Sequence, residues 1–304
     1  MIIVKIYKII MRLRKRKSIF VFLIGVKYMY SEKIQKVRQE AQEANVANKI
    51  IDMLDKLRLS ANENSPRRWI WELLQNAKDV TNSSGRVKIK VCFDEEKGIL
   101  EFSHNGKPFS TTHLVYLIEQ VSTKERNEGK TDAEKKIGKF GTGFLATHLL
   151  SEEVFVTGIL ADEETQLRCF NVHLDRSGRT KDEIISAIQT SYAELENSIV
   201  LPQMEVFDED NYNTTFRYVL NNSGIKVAKV GLEDLNISIP YVLSLIPEIE
   251  ELKIEPQNIV YKNCAEIDCG LKNSRVFQVG RLHNNVSENE FVLLLTEDEV
   301  TVAI

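Results

Sequence analysis

A carboxylate and a carboxamide stand four residues apart in the segment Glu72-Leu-Leu-Gln-Asn-Ala-Lys-Asp79. Spacings of four and seven place Glu72, Asn76 and Asp79 on one face of a predicted helix. The opposite face is apolar and is expected to bury against a sheet; it carries Ile70, Leu73, Leu74 and Ala77. A carboxylate there could take a proton from an attacking water, which contributes about a hundredfold to ten-thousandfold in rate. A carboxamide oxygen is a neutral ligand for magnesium. The alternative is a solvated polar face, which most helices have.

A second segment, His104-Asn-Gly-Lys-Pro-Phe109, follows a predicted strand that ends at Phe102. Gly106 at a strand-end turn would let a flat ring approach the backbone closely. The alternative is an ordinary turn, because Asn-Gly is a frequent turn pair.

A third segment, Ile137-Gly-Lys-Phe-Gly-Thr-Gly-Phe144, places glycines just before a predicted helix at residues 142–150. Free N–H groups at a helix start favour an anion such as phosphate. The spacing is not the Walker pattern, because no Gly-Lys-Ser/Thr follows. It is not the dinucleotide-binding pattern either, because a charged loop precedes it instead of a strand. Each segment alone is a weak signal, whereas their order and context together are specific.

These three segments resemble the N, G1 and G2 boxes of the GHKL ATPases, the superfamily of gyrase, heat-shock chaperones, histidine kinases and MutL. The match is closest to the heat-shock-chaperone or sacsin-like branch and covers residues 31–220. The resemblance implies an α+β chain with a Bergerat-type two-layer α/β sandwich, in which a mixed sheet carries helices on one face. It also implies ATP and Mg²⁺ as cofactors.

The resemblance assigns roles to individual residues. Glu72 would be the general base and Asn76 the magnesium ligand. Residues 122–136 would be a lid over the nucleotide, and Thr214 would lie at the floor of the base pocket. The full nucleotide-binding set expected is Asn76, Asp79, His104, Gly106, Lys124, Gly138, Phe140, Gly141, Thr142, Gly143 and Thr214.

His104 departs from the family pattern. The family usually has Asp at this position, where it accepts a hydrogen bond from the exocyclic amine of adenine. A neutral histidine can accept such a bond in only one tautomer, and a protonated one would oppose the amine. We therefore expect base selectivity to be less well defined than phosphate binding. With an ordinary histidine pKa near 6.5, we also expect weaker nucleotide binding below about pH 6. The alternative is that His104 merely packs beside Phe102.

The expected function is slow hydrolysis of Mg-ATP, with lid closure acting as a conformational switch. The alternative is a nucleotide-gated scaffold or a chaperone-like interaction module without significant turnover. A self-contained histidine kinase is excluded, because it needs a phosphoacceptor upstream and all histidines lie downstream of Glu72. The expected partners are a homodimer mate on ATP binding and an unidentified protein client.

The segments that position these residues divide the chain into three predicted regions. Residues 1–30 form a basic and apolar leader, read as an upstream extension if translation starts at Met29, or else as a membrane-touching anchor. Residues 31–231 form the ATP-binding domain. Residues 232–304 form a linker helix and the start of a second β-rich domain with its own sheet, which we expect to continue past Ile304.

Net charge and cysteine content bear on the binding partners and the location of the protein. The net charge of −4 argues against non-specific nucleic-acid binding. The cysteines Cys92, Cys169, Cys264 and Cys269 are scattered, which favours a reducing, cytoplasmic location.

Overall fold

The computed structural model describes residues 2–59, 65–120, 143–162, 166–200, 207–284, 286–297 and 300–304, with side chains from Tyr30 onward except that of Ser65. The helices are α1 (Ile2–Leu59), α2 (Arg68–Asp79), α3 (Thr111–Glu119), α4 (Lys181–Ile199) and α5 (Asn222–Leu245), with short 3₁₀ helices at Ser65–Arg67 and Phe144–Leu149. The strands are β1 (Val87–Asp94), β2 (Ile99–His104), β3 (Glu153–Leu160), β4 (Arg168–Asp175), β5 (Thr214–Val219), β6 (Ile249–Glu255), β7 (Ile259–Ile267), β8 (Ser274–His283), β9 (Val286–Glu297) and β10 (Val300–Ala303).

All of these strands belong to one mixed sheet in the order β10-β9-β8-β7-β6-β1-β2-β5-β3-β4. β1 pairs with β6 in parallel, and the other pairings are antiparallel. The expected α+β class with a large mixed sheet is therefore confirmed. The expectation of a second, separate sheet is wrong. The reason is that α5 returns the chain to the open edge of β1, where Val91 and Ile254 become cross-strand neighbours.

Alternate residues along the strands of the N-terminal half are buried, so one face of the sheet carries the core. Ile89 on β1, Phe102 on β2 and Phe216 on β5 are at most 1% exposed. The apolar face of α2 is buried as the sequence predicts, with Ile70, Leu73, Leu74 and Ala77 at most 2% exposed. The periodicity of 3.6 therefore correctly separated the buried side of α2 from the side that carries Glu72.

Two tryptophans attach the start of α2 to α5. Trp69 is fully buried, and its Nε1 donates a hydrogen bond to the backbone oxygen of Val227 at 3.2 Å. A Cβ at Gly231 would lie 2.6 Å from the Cε2 atom of Trp69, so only glycine fits there. Trp71 donates to Asp234 at 3.0 Å. The first turn of α2 is thus fixed against α5.

Several element boundaries differ from the expected ones. α1 begins at Ile2 and runs through the boundary expected between residues 30 and 31; residues 2–30 contain no proline to interrupt a helix. α5 begins at Asn222, because the Asn221 side chain accepts hydrogen bonds from the N–H groups of Ser223 and Gly224. The domain boundary expected at residue 231 therefore falls inside α5. Within the C-terminal region, β6 and β7 are joined by a turn that contains Asn258 with a positive φ of 52°.

The residue contacts divide the chain into two units, residues 1–48 and residues 49–304. The first consists of the greater part of α1, and the second contains the whole sheet. Across the part of the chain that the structure describes, no helix combines the length and apolar character needed to cross a membrane.

Candidate functional site

The carboxylate of Glu72 lies directly against the backbone of Gly143. A Cβ built on Gly143 would overlap a carboxylate oxygen and would lie 2.9 Å from the carboxylate carbon. The backbone of Gly143 has a φ of −65°, which any residue adopts, so a larger residue here would act through space alone, by displacing the end of the flexible Glu72 side chain. The structure therefore brings Glu72 of the first segment to Gly143, near the end of the third segment and 71 residues later in the sequence.

Burial changes the acid–base behaviour of Glu72. The side chain of Glu72 is 24% exposed, and loss of water raises the pKa of its carboxyl group above the ordinary value. Arg68, whose Nη2 lies 3.9 Å from a carboxylate oxygen, acts in the opposite direction but more weakly. A carboxylate with a raised pKa is a better proton acceptor, as a general base requires.

Asn76 and Asp79 continue the polar face of α2 beyond Glu72. Asn76 is 6% exposed, and its Nδ2 atom is buried without a hydrogen-bond partner among the described residues. Rotation of the amide by 180° would present the oxygen at the same place. Asp79 is half-buried in the last turn of the helix. A buried amide with unused hydrogen-bonding capacity fits a ligand site.

The described residues contain no group of three or more His, Cys, Asp or Glu side chains that could hold a metal ion. Asn76 therefore fits a magnesium ion only in the manner in which that ion is often bound, through one or two protein oxygens together with phosphate and water.

The turn after β2 is attached to the end of α2. The N–H of Lys107 donates to the backbone oxygen of Val80 at 2.8 Å. A Cβ at Gly106 would lie 2.9 Å from Cγ2 of Val80. Gly106 is thus needed for packing against Val80, whereas we expected it to let a ring approach; its contact with a nucleotide stays a prediction.

His104 lies at the end of β2, opposite Thr214 on β5. Both residues are at most 2% exposed. Nδ1 of His104 accepts a hydrogen bond from the N–H of Gly106 at 3.2 Å. His104 and Thr214 are thus neighbours in the sheet, and their roles in a base pocket stay predictions.

Aromatic contacts connect the second and third segments. The ring of Phe216 lies 6.2 Å from His104 and 5.6 Å from Phe144, measured between centroids. Phe144 directly follows Gly143, so the described end of the third segment lies close to the second segment and to β5.

Asn105 is a structural residue that sequence reasoning treated only as part of a turn. It is fully buried, and its Oδ1 accepts the N–H of Lys88 on β1 at 2.6 Å. Its Nδ2 donates to the backbone oxygen of Glu209 at 2.5 Å. Asn105 therefore ties the turn to β1 and to the segment that leads into β5.

A buried polar cluster formed by Gln120, His148 and Arg176 was also missed. Nε2 of Gln120 lies 3.0 Å from Nε2 of His148, which connects the end of α3 to the 3₁₀ helix that begins after Gly143. Arg176 is fully buried and donates to the backbone oxygens of Ile118 and Asp175 at 2.5 and 2.7 Å. Burial lowers the pKa of Arg176 to about 10 and that of His148 to about 3. Separations of 28 and more residues leave no local sequence signal for such a cluster.

Some predicted residues lie outside the described part of the chain. They are Lys124, Gly138, Phe140, Gly141, Thr142 and the expected lid at residues 122–136. Their roles stay predictions.

Comparison with known proteins adds no family to these observations. No protein-family model matches the chain, and no match was found among curated proteins.

The structure changes the expected pH dependence of nucleotide binding. Burial lowers the pKa of His104 to about 4, so the ring stays neutral from pH 5.5 to 8. We therefore expect no change in nucleotide affinity from His104 over this range, in contrast to the weakening below pH 6 that an ordinary histidine would cause. Isothermal titration calorimetry across this range would measure it. A fall in affinity with a midpoint near pH 6.5 that disappears in His104→Asn would contradict the expectation.

Proposed function

We propose that this chain binds a magnesium-bound purine nucleoside triphosphate in a Bergerat-type pocket and hydrolyses it slowly. The observation that carries the proposal is the contact between the Glu72 carboxylate and the backbone of Gly143, because it joins a proton acceptor to the end of the glycine-rich segment. The convergence of His104, Phe216 and Phe144 beside this contact supports a shared site. ATP is the nucleotide implied by the family resemblance, and the one-sided mixed sheet is compatible with the same fold.

Different residues have different roles in the proposed hydrolysis. Glu72 accepts a proton from the attacking water, and its partial burial raises the pKa of the carboxyl group. Asn76 supplies an amide oxygen to the metal. A bound magnesium ion would neutralise negative charge on the phosphate oxygens. The backbone N–H groups at the glycine-rich segment would bind the same anion.

The wider consequences of nucleotide binding belong to the same proposal. A conformational switch, dimerisation on nucleotide binding, a protein client and a cytoplasmic location are all implied by the resemblance or by composition. Each requires the nucleotide site first, so the site is the part to test.

Gly143→Ala tests the contact between the Glu72 carboxylate and the backbone of Gly143. The added Cβ would overlap the Glu72 carboxylate, so the carboxylate or the 3₁₀ helix must move. Overpacking of this kind costs about 1–3 kcal/mol, and we expect phosphate release to slow by about ten- to hundredfold. The measurement is phosphate release together with nucleotide affinity by calorimetry.

The matched control is a double-variant cycle with Glu72→Ala. Removing the carboxylate removes the overlap, so Gly143→Ala should reduce nucleotide affinity in the wild-type background but not in the Glu72→Ala background. If Gly143→Ala leaves turnover unchanged, or if wild-type protein binds no nucleoside triphosphate in the presence of magnesium, the proposal is wrong.

A further inference from the structure

One face of α1 carries an apolar stripe between residues 30 and 44. Its members follow one another at alternating spacings of four and three, and they are Tyr30, Ile34, Val37, Ala41 and Ala44. Every other residue from 31 to 43 is polar or charged. This spacing is the heptad repeat of coiled coils, in which apolar residues at the a and d positions face a second helix. Ile34 and Ala41 are then at a positions, and Tyr30, Val37 and Ala44 are at d positions.

The described residues leave this α1 stripe largely uncovered. Tyr30, Ile34 and Val37 are 56%, 65% and 55% exposed. The stripe belongs to the first unit of the chain, residues 1–48, which consists of this helix. Large apolar side chains that are contiguous on one exposed face mark a contact with another molecule, because scattered single residues would be the ordinary case.

We propose that the α1 stripe pairs with the α1 stripe of a second copy of this chain, with the two helices antiparallel. The sizes of the stripe residues and the charges beside them both favour this partner and this orientation. The pairing needs no nucleotide, so it is separate from the nucleotide-dependent dimer of the proposed function.

Side-chain sizes favour the antiparallel orientation. In a parallel pair each residue meets its own copy, so Tyr30 would lie against Tyr30 and Ala41 against Ala41. The helix axes would then have to be far apart at one layer and close together at another. In an antiparallel pair centred between residues 35 and 36, Tyr30 lies against Ala41 of the second copy, and Ile34 lies against Val37. The distance between the helix axes then stays even along the contact.

The flanking charges favour the same orientation and specify the register. Lys33 and Glu40 occupy g positions, which face each other across an antiparallel pair. With the centre between residues 35 and 36, Lys33 lies beside Glu40 of the second copy, and the two-fold symmetry repeats this attraction. A shift by one heptad would instead place Lys33 beside Lys33 or Glu40 beside Glu40. In a parallel pair, Lys33 would lie beside Arg38, and the two cations would repel each other.

Glu40 is accessible for this contact. Within its own helix it lies 4.0 Å from Lys36, and both side chains are well exposed. An exposed ion pair of this kind contributes little to stability, so it does not compete strongly with a contact to a second chain.

Analytical ultracentrifugation of the full chain, without nucleotide and with EDTA, tests the pairing. We expect a reversible dimer with a dissociation constant of about 10–100 µM, because the contact is short. Ile34→Glu places a charge within the stripe and should raise this constant by about thirtyfold or more. Gln35→Glu is the matched control: it adds the same charge one residue further along, outside the stripe, and should change the constant by less than about twofold.

Charge exchanges test the orientation. Lys33→Glu places two carboxylates side by side in the antiparallel pair and should raise the dissociation constant by about five- to tenfold. In a parallel pair the same variant would gain an attraction to Arg38 and bind more tightly. Glu40→Lys should weaken the antiparallel dimer to a similar extent, and combining the two exchanges should restore the wild-type constant to within about twofold. Circular dichroism would verify that each variant keeps its helix content.

Four outcomes would overturn the inference. The first is a chain that stays monomeric at about 0.1 mM. The second is a dimer that Ile34→Glu leaves intact, because the contact would then lie elsewhere. The third is a dimer that Lys33→Glu strengthens, because the helices would then be parallel. The fourth is a chain that is monomeric in solution and binds anionic lipid vesicles through residues sensitive to Ile34→Glu, because the stripe would then face a membrane.

Discussion

Replacement of Glu72 by glutamine is expected to reduce phosphate release by about a hundredfold to ten-thousandfold while nucleotide binding persists. Glutamine keeps the shape of the side chain that lies against Gly143, but it cannot accept the proton of the attacking water. Burial raises the pKa of the Glu72 carboxyl group, so the variant removes a carboxylate whose surroundings favour proton acceptance. The measurement is phosphate release from magnesium ATP, with affinity determined in parallel.

Gln75→Ala provides the control on the same helix. Gln75 is exposed, so its replacement tests whether any change in α2 affects turnover. We expect turnover of this variant to stay within about twofold of wild type, since surface substitutions usually change stability by less than about 0.5 kcal/mol. If Glu72→Gln hydrolyses nucleotide at the wild-type rate, Glu72 is not the general base. If the wild-type protein binds nucleotide but releases no phosphate, the chain is a nucleotide-gated scaffold.

The second large effect is expected at Trp69. Trp69→Ala should lower the free energy of unfolding by about 3–5 kcal/mol, the range typical of large aromatic deletions in a core. The indole is fully buried, fills the space above Gly231 and donates to Val227. Urea denaturation would measure the loss.

Trp71→Ala is the matched comparison for Trp69→Ala. Trp71 is also on α2 and donates a hydrogen bond to Asp234, but it is only half-buried. Its replacement by alanine should therefore lower the free energy of unfolding markedly less. If Trp69→Ala does not fold, Trp69→Phe keeps one six-membered aromatic ring and should lose less than Trp69→Ala, because it removes only the rest of the indole and its hydrogen bond. Equal losses for Trp69→Ala and Trp71→Ala would show that α2 is not attached to α5 mainly through the indole of Trp69.

The sequence predicted those parts of the fold that depend on local pattern. The apolar stripe of α2 was found because Ile70, Leu73 and Leu74 repeat at helical spacing. The alternation of Val87, Ile89 and Val91 with polar residues predicts a strand, and the structure places β1 there. Gly143 was singled out because it closes a glycine-rich segment before a helical pattern.

Other features depend on residues that are far apart in sequence. Gly231 appeared to end a domain, whereas its role is to make room for Trp69. The pairing of β1 with β6 could not be predicted, because the alternation of apolar and polar residues in a strand does not specify which other strand pairs with it. The same limit applies to His104, because its hydrogen bond from the Gly106 N–H depends on a turn whose conformation the sequence does not reveal.

The parallel pairing of β1 with β6 has a consequence for synthesis of the protein. β1 ends at Asp94, but its partner begins at Ile249, so most of the chain must leave the ribosome before the middle of the sheet can close. Until then the emerging polypeptide presents an unpaired apolar edge, the kind of surface that aggregates or recruits chaperones. Pairing across such a long loop is also intrinsically slow. Nascent chains whose synthesis stops between these two strands would therefore be prone to aggregation.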